Sequence, residues 1–221
     1  MTARPPFDWI QRGLLVLGIL LLTLWSRSYL ESRGFQSAES RKFAAELRAA
    51  EPRSSARAVS DAAFVGPTAI DRAEPGTGSR HVLGRLEVPR LAITAIVAEG
   101  ADLPTLRHAV GHIASTALPG NPGNCALAGH RDTFLRGLGA VRVNDVIRLV
   151  TLQRTYLYEV EWIKVVEPRR VDVIDSTTTP SLTLVTCYPF VWVGHAPRRF
   201  IVRAKQVETF PGTGTFRDAL K

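Results

Sequence analysis

"TLVTCYPFVWVGHAPRRFIVRA", Thr183 to Ala204, holds two strand-like apolar runs on either side of a loop. The first, within "SLTLVTC", ends on Cys187; the second, "RFIVRA", opens on Arg199. Between them, Tyr188 to Arg198 include Pro189, Gly194 and Pro197, which break regular structure. If the two strands pair antiparallel, the end of one lies beside the start of the other. A thiol and a guanidinium then share one rim of a sheet.

Working outward, the same strand character fills the chain from His81 onward. "VLGRLEVPRLAITAIVA" gives two β-rich runs broken at Val88-Pro89-Arg90. "NCALAGH", "DVIRLVT", "TYLYEVEWIKVV", "RRVDVI", "SLTLVTC" and "RFIVRAKQVE" supply the others. "ADLPTLRHAVGH" predicts a short helix with Asp102 as N-cap and Pro104 in the first turn, and "DTFLRGLGAV" a helical turn stopped by glycines. Many short strands with little helix predict an all-β barrel or sandwich.

The N-terminal part differs. "GLLVLGILLLTLW", Gly13 to Trp25, is apolar apart from Thr23, with Arg4 and Arg12 before it and Arg27 after. Its length matches a signal-peptide core, but the bulky, charged "SRSYLESRG" that follows offers no cleavage site. Trp9, Trp25 and Tyr29 stand where interfacial aromatics would anchor a span, and Arg12 can snorkel, so an uncleaved signal anchor is expected over 1–33. Over 34–80 the expectation is a juxtamembrane helix, with Phe35, Phe43 and Leu47 on one side, followed by a flexible linker. The net charge is +8, yet the basic residues are scattered, all but four of the 28 are Arg, and no zinc-finger, RNP or helix-turn-helix pattern accompanies them. Nucleic acid is therefore not an expected partner.

His130 ends the strand "NCALAGH" after Gly129, which places it at a loop rim. If that rim is the one that holds Cys187 and Arg199, the three make a usable site. The thiolate is the nucleophile. An imidazole can pair with the thiol and later protonate a leaving amine. An arginine, which never deprotonates, can hold a scissile carbonyl or its developing oxyanion. Taken singly, each has a plainer reading: a buried small hydrophobe, a structural histidine, one arginine among many. Asp132 could orient the imidazole but fits better as a cap at Thr133. His108 and His112 are four apart, yet no carboxylate motif joins them and Gly111 lies between, so no metal site is expected. A Cys125–Cys187 disulfide would remove the nucleophile; Cys125 and His130 have opposite parity on one strand, which argues against it.

The blocks "TLVTCYPF", "ALAGHRDTFLRGL" and "RRFIVRA" resemble the signature segments of sortases, membrane-anchored cysteine transpeptidases of bacterial surfaces, and the first looks most like class D. The similarity extends through "LEVPRLAITAIVAEG", "GHIASTALPGNPGN" and "NDVIRLVTLQRTYLYEVE". The resemblance implies a closed eight-stranded sortase-type β-barrel with short helices over 81–209, preceded by the transmembrane helix and linker and followed by a flexible tail, 210–221. It implies His130, Cys187 and Arg199 as the catalytic residues, with Arg198 as the fallback because the family's arginine directly precedes a hydrophobic strand. It also implies cleavage of a Leu-Pro-x-Thr-Gly-like C-terminal sorting signal through a thioacyl enzyme, and transfer to an amine. The partners would be surface proteins bearing that signal, an acceptor such as a cell-wall precursor or pilin lysine, and the membrane. The barrel would lie outside the bacterial cytoplasmic membrane on a single-pass anchor, and no cofactor or metal is expected. Val185, Thr186, Ala114 and His195 are candidate substrate contacts, with Ile113 a further apolar candidate; Thr186 would act through a backbone donor. "FPGTG", Phe210 to Gly214, looks like a sorting signal but lacks the hydrophobic segment after it, and reads as a frayed end.

Other cysteine enzymes fit less well. Papain-like proteases place Cys before His, caspases need Gln-Ala-Cys, a tyrosine phosphatase needs Cys-x5-Arg where this chain has Val193, and L,D-transpeptidases need Ser-x-Gly-Cys. The remaining alternative is a non-catalytic, membrane-tethered β-domain that binds peptides and keeps Cys187 for structure.

Overall fold

The computed structural model describes residues 7–55, 81–192 and 194–211. Eight strands form: β1 Val82–Val88, β2 Ile93–Glu99, β3 Val110–His112, β4 Asn124–Gly129, β5 Val146–Val150, β6 Arg154–Val166, β7 Ser181–Tyr188 and β8 Arg198–Pro211. They close into one barrel in the order β1-β2-β3-β4-β7-β8-β6-β5. β2–β3 and β4–β7 pair in parallel. The ring closes through the antiparallel β1–β5 pair. Closure leaves no free sheet edge, so the alternation of each strand can send one set of side chains inward. Leu86, Leu127, Leu149, Leu182, Leu184 and Val202 form the interior and are fully buried. Each such side chain contributes about 1.5–3 kcal/mol of burial free energy.

Two expectations are corrected in a way that keeps the strand number. "RRVDVI" is not a strand: Asp172–Ile174 form a 3-10 turn, Val171 is 67% exposed, and Arg170 pairs with Asp172. A strand needs a partner edge, and the closed ring has none to offer. The eighth strand is β3, three residues whose sequence, Val-Gly-His, is too short to show a period. Its glycine is required by packing: a Cβ on Gly111 would lie 2.3 Å from Gly100 O. The short helix α2, Leu103–Leu106, starts as expected, with the Asp102 side chain accepting from Thr105 N at 2.7 Å. The glycine-rich turn after His130 is a 3-10 segment, Arg136–Ala140.

The register of β4 against β7 matters most for function, and buried polar groups pin it at both ends. Asn124 Oδ1 accepts from Thr183 Oγ1 at 2.7 Å, and Gly129 O accepts from Thr186 Oγ1 at 2.7 Å. A one-residue slip would break both bonds in the interior, where an unpaired polar group costs about 1–3 kcal/mol. Elsewhere Arg90 ties the β1–β2 corner to the start of β5 through Asp145, and also donates to Ala140 O at 2.6 Å. The guanidinium holds the Asp145 carboxyl below the usual carboxylate range, aided by the Arg142 backbone N–H.

The helix α1 is continuous over Phe7–Ser55, running through both the expected anchor and the expected juxtamembrane helix. Gly34 falls at the junction without ending the helix, and no proline lies there to break it. The expected apolar side is confirmed in part by burial: Phe43 and Leu47 pack against Val150 and Val82 of the barrel. Phe35 meets the His108 ring at 5.4 Å. Gln36 bridges two backbones, accepting from Ile96 N at 3.0 Å and donating to His108 O at 2.6 Å. Among the described residues no helix is long and apolar enough to cross a membrane. The linker expected before the barrel falls mainly on 56–80, outside the described residues, as does 212–221 of the expected tail. The first two residues of that tail belong to β8 instead, with Phe210 opposite Thr155 and Pro211 opposite Arg154.

Candidate active site

β7 lies between β4 and β8, and this order builds the site. In the antiparallel β7–β8 pair, Cys187 stands directly opposite Arg199. Opposed residues project to the same face, so the thiol and the guanidinium are cross-strand neighbours. In the parallel β4–β7 pair, Gly129 is level with Thr186. The next residues are Cys187 on β7 and His130, which lies one position past the end of β4 rather than closing it as expected. Neighbouring strands lie about 4.8 Å apart. Cys187 is thus flanked at one barrel end by His130 on one side and Arg199 on the other. Arg198 is opposite Tyr188 and exposed, one position out of phase with the thiol.

The two cysteines live in different surroundings. Both are free, Cys125 buried and Cys187 partly exposed. Burial pushes the Cys125 thiol up to about 12, with the Glu99 charge adding to it. At pH 8 on the order of one Cys125 in 10⁴ is then ionised. An iodoacetamide reaction on the folded protein is therefore expected to alkylate Cys187 and spare Cys125 until denaturant is added; labelling of Cys125 at a comparable rate contradicts this.

The other sequence-derived candidates divide by position. Val185 is half-buried on β7, two residues before the thiol. Thr186 is buried and its hydroxyl is committed to Gly129 O, so its side chain holds the strands together rather than facing a groove. Ile113 N donates to Ala126 O, which places Ile113 and the exposed Ala114 four positions below His130 along β4. The structure does not bring Ala114 to the Cys187 end. His195 is exposed in the β7–β8 loop, where its carbonyl accepts from Trp192 Nε1 at 3.1 Å. Asp132 is exposed in the turn after His130. His112 is buried on β3, with Nδ1 2.9 Å from Glu99 Oε2 and Nε2 3.1 Å from Ala117 O. That environment is a local hydrogen-bond cradle and not a pairing with His108.

On the core side of these strand ends, Tyr188, Phe190 and Phe200 form an aromatic cluster. Tyr188 and Phe200 stack at 6.1 Å, and Phe190 meets Phe200 edge-on at 5.2 Å. Phe190 also packs over Gly139, where a Cβ would come within 3.0 Å of its ring. The cluster stiffens both strand ends that carry Cys187 and Arg199. One contributor went unnoticed in the sequence. Arg131, beside His130, donates to three carbonyls of the β7–β8 loop. The only sequence signal was its place in Gly-His-Arg-Asp, which gave it no role.

The comparisons with known proteins agree with this fold. The model of the Sortase domain matches residues 86–207. The chain is 35% identical over 135 residues to sortase D of Bacillus subtilis, covering 61% of this chain and 67% of that protein. It is 32% identical over 110 residues to sortase A of Listeria monocytogenes, covering 48% of this chain and about half, 49%, of that one. Among solved structures, the Clostridium perfringens sortase D5 transpeptidase superposes with a TM-score of 0.53 at 30% identity, covering 57% of this chain and 79% of its own. A closed eight-stranded barrel with this strand order, matched by the family's model over more than half of the sequence, makes this chain a member of the sortase family of cysteine transpeptidases.

Proposed function

We propose that the enzyme cleaves a C-terminal sorting signal of Leu-Pro-x-Thr-Gly type and transfers the released acyl group to an amine. The placement of Cys187 on β7, level with His130 on one flank and opposite Arg199 on the other, carries this reading. The Cys187 Sγ, as thiolate, attacks the signal's Thr carbonyl. Arg199 steadies the oxyanion as it forms. His130 gives a proton to the glycine nitrogen, the C–N bond breaks, and a thioester remains on Cys187. An acceptor amine then attacks the thioester, the C–S bond breaks, and the amine's proton passes to His130. The acceptor is an amine of a cell-wall precursor or a pilin lysine.

The length of the strands supports the signal class. From the Thr carbonyl back to the Leu is three residues, about 10 Å of extended chain. That reach runs from the Cys187 end down toward the Ile113–Ala114 turn, with Val185 on the way, and gives apolar contacts for Leu and Pro. The test is a labelled peptide of this type incubated with the enzyme and an added glycine amine. Transfer product is expected; a peptide that binds without cleavage by an enzyme with reactive Cys187 supports a binding domain instead.

The same reading places the barrel outside the cytoplasmic membrane, held by α1. Leu14, Leu15, Val16, Leu17, Ile19, Leu20, Leu21, Leu22 and Leu24 are each at least 50% exposed around the helix. A helix that is apolar on all sides belongs in a core or a bilayer. Arg12 and Arg27 are the only charges between Trp9 and Leu30. The full chain is expected to stay with membranes through alkaline carbonate extraction. Release into the soluble fraction contradicts the anchor.

A further inference from the structure

Among the described residues, the path from Cys187 to Arg199 has no regular structure between Pro189 and Pro197, so its carbonyls need donors from elsewhere. Side chains supply them. Arg131 donates through Nη1 to Pro189 O at 3.0 Å, and through Nη2 to Trp192 O at 2.9 Å and Gly194 O at 3.2 Å. Trp192 Nε1 donates to His195 O at 3.1 Å. Arg199 Nη1 completes the series on Ala196 O at 3.3 Å and Arg198 O at 3.0 Å.

A guanidinium suits this task. It is planar, presents its donors as a fork and cannot lose its charge, whereas a lysine is a single flexible point. Arg131 also leaves the chain directly after His130, where β4 ends beside β7. One side chain therefore joins the segment that carries the histidine to the loop that runs from the cysteine to the arginine. The loop is not part of the barrel core: Val191 is 94% exposed and Trp192 51%.

We infer that Arg131 is a positioning residue, which clamps the Pro189–Gly194 part of the loop and thereby sets Arg199 against Cys187 and His130. It acts through the loop and does not touch reacting atoms. The inference rests on reading those three residues as the reacting groups. Because the clamp lies outside the core, its loss alters alignment more than folding.

The test compares full-length wild type, Arg131→Ala and Arg131→Lys in detergent. Three readouts are followed: peptide cleavage and transfer, the thermal midpoint, and hydrogen exchange over 188–200. Arg131→Ala is expected to lower kcat by about 10- to 100-fold with KM changed less than about threefold, since small misplacements of reacting groups act on the chemical step. The thermal midpoint stays near wild type and the loop exchanges faster. Millimolar guanidinium chloride, but not sodium chloride, restores part of the rate in Arg131→Ala. Arg131→Lys, charged but without the fork, stays close to the alanine variant. A kcat within about twofold of wild type in Arg131→Ala overturns the inference, as does a loss that merely follows a fall in folded protein. Should wild type cleave no peptide of this class, the substrate reading fails by itself. Loop exchange then decides the clamp: faster exchange in Arg131→Ala supports it, and unchanged exchange overturns it.

Discussion

Cys187→Ala is expected to reduce sorting-peptide cleavage and transfer by at least about 10⁴-fold while leaving the fold intact, because the covalent route disappears with its nucleophile. The side chain is partly exposed at the end of β7, and alanine leaves no cavity in the sealed interior. The loss is thus chemical, readable as an unchanged thermal midpoint beside absent turnover. Cys125→Ala is the contrasting variant. Cys125 is 1% exposed within the main core, so its replacement lowers stability and spares turnover per folded molecule. Reversal of this pattern, with Cys187→Ala active, refutes the nucleophile.

The second large effect separates two adjacent arginines. Arg199→Lys is expected to cost about 10²- to 10³-fold in kcat, the scale of losing one oxyanion donor, because an ammonium cannot reproduce the fork. Arg198→Lys is expected to stay within about twofold, since a surface substitution away from the reacting groups does little. The register predicts this asymmetry: Arg199 is opposite the thiol and Arg198 opposite Tyr188. Equal losses at both positions, or a greater loss at Arg198, contradict the assignment. In Arg199→Lys the hydrogen bonds to Ala196 O and Arg198 O are also altered, so loop exchange measured alongside separates misalignment from lost charge stabilisation.

Much of the site was legible because it depends on strand ends. Cys187 and Arg199 bracket one loop, and antiparallel pairing of the flanking strands suffices to place them together. The strand end put His130 at a rim, but nothing in the spacing of "NCALAGH" tells which strand it joins. The parallel β4–β7 pairing that brings it to Cys187 is long-range, set by core packing and by the Thr183–Asn124 and Thr186–Gly129 bonds. The part Thr186 plays in that pairing left no mark either, since a threonine beside a nucleophile gives no hint that its hydroxyl serves a neighbouring strand. "RRVDVI" carried strand-like alternation without a partner, and β3 had a partner without alternation; local pattern cannot register barrel closure. Arg131 escaped notice because a side chain that satisfies loop carbonyls leaves no periodic mark.

The most direct measurement is the location of the acyl group. Wild type mixed with a sorting peptide and quenched in acid is digested and mapped by mass spectrometry. The account predicts a thioester-linked fragment, ending at the signal's Thr, on the peptide that contains Cys187, removed by hydroxylamine or an added glycine amine. An acyl group on Cys125 or on no cysteine, with cleavage still under way, contradicts it.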